Sequence, residues 1–91
     1  MRDKLFFINS IKMDLHRVVT AVGDTNKNVP QQSVIEFMKH ADKDFEKIEL
    51  NEKELLLRQQ LQNLLNHMPD FTDNLAKLKW AEDVLTIRCR L

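Results

Sequence analysis

Three histidines, His16, His40 and His67, and one cysteine, Cys89, carry the widest chemical reach in this 91-residue chain. Glu36, His40 and Asp44 stand at i, i+4 and i+8, so a helix presents them on one face. Imidazole and carboxylate both ligate divalent metals. The row spans about two turns, however, which is too far for all three side chains to reach one ion from a straight helix. The paired Glu-x-x-His motifs of di-iron bundles are missing from the sequence. The spacing therefore favours a solvated helix face with local ion pairing. A small metal-binding protein or enzyme using His16, His40 or His67 stands as an alternative, and no metal ligand is assigned.

Cys89 lies between Arg88 and Arg90, whose charges favour thiolate. A position near a helix C-terminus acts the other way. A nucleophilic cysteine also needs a positioned base, and no spacing supplies one, so Cys89 reads as incidental. Asp42-Lys43-Asp44 lacks the glycine and the ligand series of a calcium loop. The sequence contains no glycine-rich phosphate loop and no nucleophile elbow. With Gly23 as the single glycine, few places exist where backbone can approach a ligand closely. The expectation is a protein that is not an enzyme and has no catalytic or cofactor-binding residues.

Bulk properties narrow the partners. Lys and Arg total 14 and Asp and Glu total 14, so the net charge is zero, unlike a dedicated nucleic-acid binder. Hydrophobic residues make up 43%, too many for an intrinsically disordered chain. A lone cysteine excludes an intrachain disulfide and suits a reducing compartment. The apolar run Leu5-Phe6-Phe7-Ile8 is far shorter than a membrane span. These features point to a cytoplasmic protein.

The elements that must position these residues are read from apolar stripes. Ile8, Ile11, Leu15, Val18 and Val22 define a first helix over about 3–22, with Gly23 suited to a left-handed C-cap and a loop over 24–28. Val34, Met38, Ala41, Phe45 and Ile48 define a second over about 33–48, with Ser33 and Glu36 as a capping box. The stripe then changes phase to Leu57, Leu61, Leu64 and Met68. Asn51 and Glu54 resemble a new cap, which predicts a third helix over about 52–67. One long kinked helix is the alternative for the second and third. Pro69 ends that region, and Asp70 or Thr72 caps a fourth helix over about 71–89. Its two stripes are Phe71, Leu75, Leu78, Leu85 and Trp80, Val84, Ile87, Leu91. Such a helix is either central or divided between the core and a partner. The expected fold is all-α, a small antiparallel bundle of four helices forming a single domain.

Apolar residues exceed what four core stripes use. Leu5-Phe6-Phe7-Ile8 and Leu55-Leu56-Leu57 would coat most of their helices. Clustered surplus of this kind marks a contact surface, and Phe6, Phe7, Leu56 and Trp80 are its expected members. The leading expectation is a non-enzymatic protein–protein interaction module, acting as a homo-oligomer such as a homodimer, or as an adaptor or regulator of another protein. A nucleic-acid-binding regulator using the 33–67 hairpin, with Lys77, Lys79, Arg88 and Arg90, is the other alternative. Glu52 and Glu54 at the start of its reading helix oppose phosphate charge.

Overall fold

In a computed structural model, which describes residues 3–23 and 28–91, all regular structure is helix. The order is α1 (Lys4–Gly23), α2 (Gln31–Phe45), α3 (Glu52–Asn66) and α4 (Asn74–Arg90). Helix α1 packs against α2 and α4, and α3 packs against the same two from the other side. The result is the expected four-helix bundle, 41 × 22 × 19 Å in extent.

The stripes converge on one core. Ile11, Leu15, Val18 and Val22 of α1 meet Val34, Met38, Ala41 and Phe45 of α2 and Trp80, Ala81, Val84 and Ile87 of α4. Helix α3 adds Leu57 and Leu61, with Leu64 and Leu65 partly buried behind them. The Trp80 indole Nε1–H donates to the Leu64 carbonyl oxygen at 3.1 Å. Phe71 meets the same indole edge-on, with centroids 5.6 Å apart.

The phase break is a true helix boundary, so α2 and α3 are separate. Asn51 Oδ1 accepts from the Glu54 N–H at 2.8 Å, and Glu54 Oε1 accepts from the Asn51 N–H at 3.1 Å. This is a complete capping box, satisfying two N–H groups that the helix start would leave open. Arg58 then ties α3 back to α2, donating to Asp42 Oδ1 and Glu46 Oε1, both at 3.0 Å.

Three expected helix ends are corrected. Helix α2 starts at Gln31, with Pro30 as its N-cap and no side-chain cap bond. Pro30 has φ of −75°, already near helical, and its carbonyl accepts from the Val34 N–H at 3.0 Å. Ser33 is thus inside the first turn and cannot be the cap. The same helix stops at Phe45 rather than 48, closing with tight bonds from the Glu46 and Lys47 N–H groups to Lys43 and Asp44. Helix α4 starts at Asn74, where Asp73 Oδ1 accepts from the Leu75 and Ala76 N–H groups. Asp70 instead closes a turn on the Thr72 N–H and hydroxyl. Gly23 is the final residue of α1 and has no positive φ, so it is not a left-handed cap. Residues 24–27 of the expected loop lie outside the described residues.

Candidate functional site

Two buried carboxylates face one imidazole at the seam between α1 and α2. Asp14 is 3% exposed and Asp44 is 2% exposed. Asp14 sits three residues after Ile11 and four before Val18, so the α1 core stripe itself carries it inward. Asp44 precedes Phe45 at the end of α2 and turns to the same seam. His40, one turn before Asp44, lies above both, with 55% of its side chain open to solvent.

The cluster is ordered oxygen by oxygen. The His40 Nδ1–H donates to Asp14 Oδ2 at 2.5 Å, and the same nitrogen lies 3.6 Å from Asp44 Oδ2. Ser10 Oγ donates to Asp44 Oδ2 at 2.8 Å. The outer oxygens face cations: Arg17 is 3.3 Å from Asp14 Oδ1, and Lys47 is 3.4 Å from Asp44 Oδ1. Both cationic side chains are half exposed. Each is also drawn over a ring, Arg17 over Phe37 and Lys47 over Phe7, at 5.7 Å to the centroid. Burying two carboxylates so close together is costly unless their oxygens are hydrogen-bonded and their charge is offset. Here every carboxylate oxygen faces a donor or a cation.

This arrangement bears directly on the kinds of chemistry the seam supports. Serine, histidine and aspartate are all present, yet they do not form a hydrolytic relay. Such a relay places the serine hydroxyl on the imidazole nitrogen opposite the aspartate. Ser10 donates its hydroxyl hydrogen bond to Asp44 instead. His40, Asp14 and Asp44, by contrast, bring three potential metal-ligand atoms within 4.8 Å of one another, the one such group among the described residues.

The sequence row Glu36, His40, Asp44 does not stay together. His40 and Asp44 come together, Glu36 stays outside on the exposed face, and the third member, Asp14, arrives from another helix. The signal available for Asp14 is its place in phase with Ile11 and Val18, three residues after the one and four before the other. The solvated-face reading of the α2 charges is corrected for Asp44, which is buried, and for Asp42, which is half-buried against Arg58 and Gln62. His16 is exposed, and His67 closes the end of α3 by donating from Nδ1 to the Asn63 carbonyl at 3.0 Å. Cys89 is exposed.

The surface residues divide differently from expectation. Phe6 is 43% exposed, Phe7 is half-buried and meets it edge-on, and Leu56 is exposed. Trp80 is only 5% exposed and belongs to the core, which removes it from any contact surface. The two stripes of α4 separate: Trp80, Val84 and Ile87 are buried, whereas Leu75, Leu78 and Leu85 face outward. Lys4 pairs with Glu54, which sets the first turns of α1 and α3 at the same end of the bundle. Exposed Leu5, Phe6, Leu55 and Leu56 lie in the opening turns of those two helices. Farther along α1, exposed Met13 separates two open grooves. One, of about 320 Å³, is lined by Phe6, Ser10, Asp14 and His40, and the other, of about 460 Å³, by Lys12, His16 and Arg88.

No protein-family model, curated protein or solved structure matches this chain. No helix among the described residues is long and apolar enough to cross a membrane.

Proposed function

We propose that this chain is a non-enzymatic helical interaction module that binds another protein, or a second copy of itself, through the end of the bundle carrying Leu5, Phe6, Leu55 and Leu56. The observation that supports this reading is that those exposed side chains lie in the opening turns of α1 and α3, which the Lys4–Glu54 pair holds at one end. The inner face of α1 is already used by Ile8, Ile11, Leu15, Val18 and Val22. Leu5, Phe6, Asn9 and Met13 fall on the opposite face, at successive turns. Large apolar residues exposed in this way lose unfavourable contact with water when a partner covers them. A reducing compartment such as the cytoplasm suits a protein with one exposed thiol. The nucleic-acid reading is weaker, because Glu52 and Glu54 occupy the first turn of α3 and would meet phosphate first.

Light scattering at micromolar concentration, paired with affinity capture from the native cell, tests the reading. Wild-type protein is expected to self-associate or to retain a partner. Phe6→Ser combined with Leu56→Ser should abolish either behaviour while leaving the helical circular dichroism intact. A wild-type monomer that captures nothing, or a double variant that behaves as wild type, overturns it.

A further inference from the structure

We propose that Asp14, His40 and Asp44 form a divalent transition-metal site, best matched to zinc(II), that staples α1 to α2. Two features of the seam carry this inference. First, the donor set mixes one imidazole with two carboxylates that are themselves buried, and it joins two helices. Imidazole and carboxylate together suit zinc, manganese and iron(II). Second, the oxygens are sorted. Asp14 Oδ1 and Asp44 Oδ1 are turned to Arg17 and Lys47, while both Oδ2 atoms converge on His40 Nδ1. Outer partners that hold ligating carboxylates in place are the usual second layer of a metal site.

The geometry needs only a small adjustment. Zinc takes nitrogen and oxygen ligands at about 2.0–2.2 Å in a tetrahedron, whose edges are then roughly 3.3 Å. His40 Nδ1 is 2.5 Å from one Oδ2 and 3.6 Å from the other, so the values fall on either side of that edge. A modest swing of the half-exposed imidazole evens them. A neutral imidazole ligates through a bare Nδ1, so the ring proton that now bridges to Asp14 is carried on Nε2 in the metal-bound form. Water from the adjoining open groove completes the coordination, and that groove is also the route of entry. No electron changes hands, and the role is structural. Arg17 and Lys47 repel a dication, which holds the affinity to a moderate range.

Calorimetric titration of the Cys89→Ser protein with zinc chloride tests the site, because that variant removes the exposed thiol as a competing ligand. One zinc ion per chain is expected. His40→Ala should weaken binding by more than the roughly 10–100-fold that loss of an outer partner costs, and His16→Ala and His67→Ala should leave it unchanged. The cobalt(II) form should show the visible absorption of a low-coordinate ion. His40→Gln, which keeps a polar side chain at this exposed position, supplies the same test should the alanine variant fold poorly. Binding of no zinc by the Cys89→Ser protein overturns the proposal, as does wild-type affinity in both His40 variants.

Discussion

Glu54 shows how one side chain can serve two structural ends at once. Its carboxylate completes the α3 cap on the Asn51 N–H and also receives the Lys4 ammonium from α1. Partial burial pushes this carboxyl up, but the hydrogen bonds from Lys4 and Asn51, with the charges of Lys4 and Lys53, outweigh it and hold the group below its ordinary 4.5. A carboxyl depressed by folding stabilises the native state above its unfolded pKa, and that contribution is lost as pH falls through the folded value. Glu54→Gln should therefore be less stable than wild type near neutral pH, and the gap in urea midpoint should narrow as pH falls below the ordinary 4.5. An equal gap at neutral and at acid pH counts against the ion pair. The cap half of this role is legible in the sequence, because Asn51 and Glu54 are three residues apart and the bonds are local. The Lys4 half is not, since the two residues are 50 positions apart.

Helix boundaries depend on which local signal prevails. Pro30 wins over Ser33 because a residue already fixed near helical φ lets the helix start earlier. Gly23 is the reverse case. Its position after a clean stripe suggests a left-handed terminator, yet it ends α1 in ordinary negative-φ backbone, and an added Cβ would meet nothing within 4 Å. Glycine there gives up helix propensity without using its special freedom. Gly23→Ala should accordingly raise stability by roughly 0.5–1 kcal/mol, chiefly by restricting the unfolded chain. Thermal unfolding followed by circular dichroism would register this as a higher midpoint, and a lower one would mean that glycine is required at that position. At α2, charge alternation suggests a solvated face, but Asp44 follows the core stripe inward toward Asp14. A spacing rule along one helix cannot reveal a partner on another helix.

At the scale of the whole bundle, the four apolar stripes were legible because each repeats with the helical period for three turns or more. The division of surplus residues between core and surface was not, and Trp80 went to the core because its N–H finds the Leu64 carbonyl there. Helix α3 contributes only Leu57 and Leu61 to the fully buried set, so its docking rests on few side chains. Leu61→Ala should cost about 3 kcal/mol, read as a lower urea midpoint, and a loss well under 1 kcal/mol would show that α3 is dispensable to the core. Trp80 has a consequence for observation as well as for stability. It is the single tryptophan of the chain, and its indole rests on the final turns of α3. Its fluorescence is therefore a built-in optical gauge of the α3–α4 seam, whereas His40 lies at the α1–α2 seam. Emission that shifts when something binds between α1 and α2 would register motion transmitted across the bundle, while a silent indole would report a local event.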